Sequence, residues 1–200
     1  ACIEALQAGK VTYTPASGMS GDYFVIMRTD VHNHVFEGLD NPALNYYPET
    51  NNTVVSDAIS LINNPPDLVI DSFTSSPTGE AGKTISVAWT VRNAGGGDTV
   101  KSAWTDQVVA SVNAILGDAD DVVLYTRNHS GLLAAGGSYD VASFSVGLPI
   151  TLASGDYTLF LRTDAGSQVY ESSEGNNSAA NAFALVRNTA DLQVTQVADP

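Results

Sequence analysis

Apolar and polar residues alternate along most of this chain, and that period of two restricts the fold more than any other feature. Seven stretches read as strands: DLVIDSF (67–73), TISVAWTVRN (84–93), DQVVASV (106–112), VVLYT (122–126), YDVASFSV (139–146), DYTLFLRT (156–163) and NAFALV (181–186). In a strand this pattern sends one set of side chains to a core and the other to water. Between the stretches lie NAGGGD, LGDADD, AAGGS, LASGD and DAGSQ, which carry the Gly, Asp and Asn that tight turns need. No convincing amphipathic helix appears. Short strands joined by Gly-rich turns predict an all-β fold, a β-sandwich.

The chain also repeats itself. GDYTLFLRTDAGSQVYESSEGNN (155–177) echoes GDYFVIMRTDVHNHVFEG (21–38) and the ETNN that follows at 49–52. Gly21, Asp30 and Glu37 align with Gly155, Asp164 and Glu171, and Asn51 and Asn52 with Asn176 and Asn177. The first copy carries an insertion within GLDNPALNYYP. A second pair has the same phase: PPDLVIDSF from Pro65 and TADLQVTQV from Thr189. The element that opens a module and the element that closes one therefore each occur twice. On this reading residues 1–61 are the C-terminal part of a preceding module and 62–66 a linker. Residues 67–186 are one complete sandwich, and 187–200 are a linker with the first strand of a following module.

Charge narrows the function classes. There are 22 acidic residues against 8 basic ones, a net charge of −14. Such a chain repels nucleic acid and anionic lipid, so no nucleic-acid partner is expected. Apolar residues make up 44% and charged ones only 15%, the balance of a folded chain. The lone cysteine, Cys2, cannot form an internal disulfide. No run approaches the roughly 18 apolar residues of a spanning helix, so membrane insertion is not expected. The start, ACIEALQAGK, has no initiator Met and no visible leader, which suggests a processed chain or a window cut from something longer.

Several stretches in order resemble the cell-adhesion-related domain found in bacteria, CARDB: PDLVI, VAWTVRNAGGGDT, SAWTDQVVASVNAILGDADDVVL, LAAGGSYDVASFSVGLP and SGDYTLFLRTDAGSQVYESSEGNN. The resemblance covers 67–186 in full, with a module end in 1–61 and a module start in 190–200. It implies an Ig-like or fibronectin-like β-sandwich, tandem repetition in a large bacterial surface or secreted protein, an adhesive or stalk role, and no enzyme activity. The implied location is extracellular, on the bacterial surface. The insertion in the first copy departs from the pattern and leaves its role open.

Candidate site residues follow from the repeat. Asp164, Glu171, Glu174 and Asn176 gather hard oxygens near one hairpin, and Asp30, Glu37, Glu49 and Asn51 do so in the first copy. Ca²⁺ takes six to eight such oxygens, roughly the supply of a carboxylate-rich loop. Ordinary turn chemistry, in which Asp and Asn bond nearby backbone, accounts for the same residues. GDADD (117–121) crowds Asp118, Asp120 and Asp121 but lacks EF-hand spacing, and reads as a solvated hairpin tip. Asp30, His32 and His34 would share a face in a strand, as a metal site needs. The matching DAGSQ reads instead as a turn. No nucleophile elbow and no carboxylate pair in an aromatic groove appears, so no enzyme is expected. Trp89 belongs between the sheets, and Trp104 is core or exposed.

Tyr46 and Tyr47 in the insertion are contact candidates, as are Leu192 and Val194 of the last strand. Expected partners are neighbouring copies of the module, in the same chain or adjacent ones, and a cell surface or polysaccharide. The leading expectation is a non-enzymatic structural or adhesive module. The alternative is a filament subunit that polymerises by strand donation; a carbohydrate-binding module ranks below both.

Overall fold

The computed structural model describes residues 12–16, 18–32, 34–35, 38, 43 and 52–193. The chain divides into two compact units, Ala1–Asn63 and Asn64–Pro200. Among the described residues there are twelve strands and no α-helix.

The second unit is a β-sandwich. Its strands are β5 (Leu68–Ser75), β6 (Thr78–Glu80), β7 (Thr84–Asn93), β8 (Ala103–Ser111), β9 (Val122–Ser130), β10 (Ser138–Gly147), β11 (Gly155–Arg162) and β12 (Ser178–Val186). One sheet has the order β10-β7-β5 and the other β6-β12-β11-β8-β9. Pairing is antiparallel throughout, except that the short β6 runs parallel to β12.

Period two translates directly into burial. Along β7 the inward residues are Ile85, Val87, Trp89, Val91 and Asn93. Facing them are Trp104, Val108, Leu159, Leu161, Phe183 and Leu185 of the other sheet. Each such side chain removed from water stabilises the fold by roughly 1.5–3 kcal/mol. Trp104 is core, at 1% exposure.

A carboxylate interrupts this apolar layer. Asp106 of β8 is fully buried. Its carboxylate accepts the indole N–H of Trp89 (3.1 Å), the hydroxyl of Tyr139 (2.8 and 3.0 Å) and the hydroxyl of Thr163 (2.8 Å). Trp104 in turn donates its indole N–H to the Tyr139 oxygen at 3.2 Å. Trp89 and Tyr139 come from one sheet and Asp106 from the other, so the carboxylate fastens the layers together. Burial pushes its pKa up, while the bonds from Tyr139, Thr163 and Trp89 pull it back.

The first unit contains a hairpin of four short strands: β1 (Gly21–Tyr23), β2 (Ile26–Arg28), β3 (Thr53–Val55) and β4 (Ile59–Leu61). β1 pairs with β4, and β2 with β3, both antiparallel. Gly21 lies opposite Leu61 and Arg28 opposite Thr53. In the second unit Gly155 lies opposite Leu185 and Arg162 opposite Ser178. The sequence repeat is thus also a repeat of strand pairing, with one extra residue between Thr53 and Leu61 in the first copy. Burial differs: Val25 is 59% exposed, whereas its counterpart Leu159 is fully buried.

Asp106→Ala leaves three buried donors without an acceptor. It is expected to cost on the order of 3 kcal/mol in urea unfolding. A loss under about 1 kcal/mol would show that the carboxylate does not bind the sheets together.

Candidate functional site

The loop between β11 and β12 is built on a left-handed aspartate. The backbone N–H of Thr163 donates to Asn177 O at 2.9 Å, which closes the hairpin ladder. Asp164 then takes φ +43°, a region where Asp is tolerated because its short side chain bonds locally. Its two carboxylate oxygens accept the N–H groups of Gln168 (2.8 Å) and Val169 (2.9 Å). This turns the chain and drives Val169 into the core. The first unit repeats the device. Asp30 has φ +44°, and its carboxylate accepts from His34 N (2.7 Å) and Val35 N (3.0 Å). Asp30, His32 and His34 therefore belong to a turn, and the alternation that would make them a metal face is broken there.

Glu171 is the centre of the loop, with 5% of its surface exposed. One carboxylate oxygen accepts the backbone N–H of Leu68 in a very short bond, and the other accepts Asn177 Nδ2–H at 2.8 Å. The Glu171 N–H donates to Glu174 Oε1 at 3.3 Å. Ser172 N–H donates to Pro66 O at 2.9 Å. The loop that closes the module is therefore bonded to the segment that opens it. Asp164, Glu171 and Glu174 each bring one carboxylate oxygen within 4.8 Å of the others. Asn176 is exposed and instead donates to Asp67 Oδ1 at 3.1 Å. The amide that joins the cluster is Asn177, which is 6% exposed and whose Oδ1 is buried without a partner.

The GDADD loop is a second cluster. Asn113 Nδ2 donates to Asp118 (2.9 Å) and Asp120 (2.7 Å), and Ser111 Oγ donates to Asp120 at 2.9 Å. Gly117 N–H donates to Asp121 Oδ2 at 2.5 Å. The amide of Asn113 holds the Asp118 carboxyl below its usual range. These bonds make a self-satisfied hairpin tip, apart from Asp121 Oδ1, which is buried without a partner.

Glu37, Glu49, Asn51, Tyr46, Tyr47 and Val194 fall outside the described residues. Leu192 is 93% exposed.

Residues 65–181 match the CARDB family model, more than half of the 200-residue chain. The chain belongs to the CARDB family. Similar solved structures include the CARDB domain of PF1109 from Pyrococcus furiosus, crystallised in complex with di-metal ions. It is 19% identical with a TM-score of 0.46, and the match covers 64% of this chain and 100% of that one. A domain of a protein described as a cell-surface protein from Methanosarcina acetivorans is 21% identical, with a TM-score of 0.44. That match covers 61% of this chain and 93% of that one. The β-glucosidase EmGH1 from Erythrobacter marinus is 16% identical with a TM-score of 0.41; the match covers 60% of this chain but 16% of that one. No curated protein matches the chain. Among the described residues no helix is long and apolar enough to cross a membrane.

Burial pushes the Glu171 pKa up to about 7, against the pull of the Leu68 N–H and the Asn177 amide; Glu174 and Asp164 push it further up. The folded module holds a proton that the unfolded chain has released. This contribution to stability is present at acid pH and is lost as pH rises from about 4.5 through about 7. Buried Asp106, also raised, acts in the same direction. In chelator, the melting temperature should therefore fall between about pH 5 and about pH 8, and Glu171→Gln should flatten that slope. An unchanged slope in the variant would assign the pH dependence elsewhere.

Proposed function

We propose that this chain is part of a tandem array of CARDB modules that serves as a non-enzymatic stalk or adhesive rod outside a bacterial cell. The observation that carries this reading is the repeated hairpin. Its second copy is buried in a complete sandwich, and its first copy has the same strand pairing, apart from one extra residue, with its apolar side chains open. Tyr157, Leu159, Phe160 and Leu161 are covered by the rest of their module, whereas Tyr23, Val25, Ile26 and Met27, at the matching positions, are exposed. The hairpin β1–β4 is then the closing hairpin of another module, whose opening strands cover it. Each module buries its own core, linkers are short, and the net charge of −14 keeps a long array soluble. Neighbouring modules are the first partners. A cell surface or polysaccharide is the target at the array's end.

The missing strands come from the same polypeptide or from adjacent chains that assemble as a filament. The mass of the native polypeptide on a denaturing gel separates the two. A mass well above that of 200 residues is expected. A mass matching 200 residues would overturn the array and leave strand donation between chains.

A hard divalent cation fits the Asp164–Glu171–Glu174 cluster, and Ca²⁺ suits its all-oxygen donors best. The specific observation is Asn177. It supplies a buried neutral oxygen with no partner, and it lines an open pocket with Glu174, Arg162 and Ser178. The CARDB domain of PF1109 was crystallised with metal ions. Calcium is expected to raise the melting temperature over chelator, and Glu174→Gln to reduce that rise. Identical melts in calcium and chelator would remove the cation from the mechanism.

A further inference from the structure

We infer that the Gly95–Gly97 turn and the Glu171–Asn177 loop form a seat that fixes the incoming segment Asn64–Leu68, and that Asn188–Leu192 is a second such segment made for the seat of another CARDB module. The second half rests on the array reading; the first half does not.

The seat engages nearly every backbone polar group of the incoming segment. Gly97 N–H donates to Pro65 O (3.4 Å), Ser172 N–H to Pro66 O (2.9 Å) and Ala94 N–H to Asp67 O (2.6 Å). Asp67 N–H donates to the side-chain oxygen of Asn93 at 3.0 Å, and Leu68 N–H to Glu171. Pro65 and Pro66 have no N–H to satisfy. Asn64 Nδ2 donates to Gly96 O at 2.5 Å. The fully buried Asn93 braces the turn from beneath, donating to Gly97 O (2.8 Å) and Leu133 O (3.1 Å).

Close approach of backbone requires Gly95 and Gly97, where a Cβ would overlap Pro65 O and Asn64 O; at Gly96 a Cβ would meet the Asn64 side chain and displace it. Bonds at this density hold residues 64–68 to the module that they open.

The same signature recurs. Asn64-Pro-Pro-Asp67-Leu68 and Asn188-Thr-Ala-Asp191-Leu192 share Asn, Asp and Leu at the same spacing. Leu68 is fully buried, whereas Leu192 is 93% exposed. A leucine that one copy of the motif buries completely stands open in the other, so the second copy lacks the seat that the first one has. The cover that fits it is the glycine turn and glutamate loop of a CARDB module.

Backbone ¹⁵N relaxation on the full chain tests the first half. Asn64, Asp67 and Leu68 should show order parameters near about 0.85, like rigid strand, with residues 188–193 below about 0.6. Gly97→Ala, whose Cβ would overlap Asn64 O, should lower Asn64 and Asp67, while near-UV dichroism reports an intact core around Trp89 and Trp104. Flexible Asn64 and Asp67 in the wild type, or rigid ones in the folded variant, would overturn the seat. If Gly97→Ala does not fold, Asn64→Ala, which removes the side-chain bond to Gly96, should lower Asn64 at smaller amplitude, and an unchanged Asn64 would overturn the seat. For the second half, the chain is extended by joining Ala190 to a further copy of residues 67–200. Asn188 and Ala190 should then rise to about 0.85. If they stay as flexible as in the single chain, Asn188–Leu192 is not a seat-binding segment. The array reading itself fails separately, on native mass.

Discussion

A carboxylate in the middle of an apolar layer sets the terms for the rest of this sandwich. Asp106 has no water to solvate it, so its acceptors must be met by protein donors. Trp89, Tyr139 and Thr163 meet them, and each is thereby fixed in rotamer and position. Because the donors come from both sheets, the spacing and relative register of the layers are tied to hydrogen-bond geometry as well as to hydrophobic contact. Trp104 and His129 continue the cluster outward, with stacked rings 3.8 Å apart. Burial lowers the His129 pKa, against the pull of the Gly131 carbonyl and the Asp106 charge.

A second set of bonds works at one end of the module. Glu171 joins the closing loop to the first residue of β5, and the glycine turn after β7 receives the lead-in residues before it. Opening segment, central turn and closing loop thus meet in one place. The acidic loop therefore has a structural part within its own module, through the bonds of Glu171 and Ser172 to the segment that leads into β5.

The strands and their facing were legible in the sequence because period two is a local property. TISVAWTVRN coincides with β7, and its alternate residues are the buried ones. The repeat was legible too, since the aligned residues fall at matching ladder positions. The short β6 left no signal, because three residues cannot display a period and its parallel pairing depends on β12. Asp106 had a faint signal: it occupies an inward phase between Trp104 and Val108. The donors that make it tolerable are distant in sequence. Asn176 and Asn177 were adjacent amides in one loop, and only the hairpin ladder decided that Asn177 faces Glu171 while Asn176 reaches Asp67.

By itself the sequence determined an all-β sandwich, its turns, the repeated hairpin and the acidic charge, since each depends on residues close together along the chain. Tertiary structure alone decided which carboxylates are buried, which amide lacks a partner, and why Gly95 and Gly97 after β7 must be glycine. Those outcomes depend on atoms brought together from up to 109 positions away, as between Asp67 and Asn176, and burial strengthens each such contact by removing the water that would compete for it.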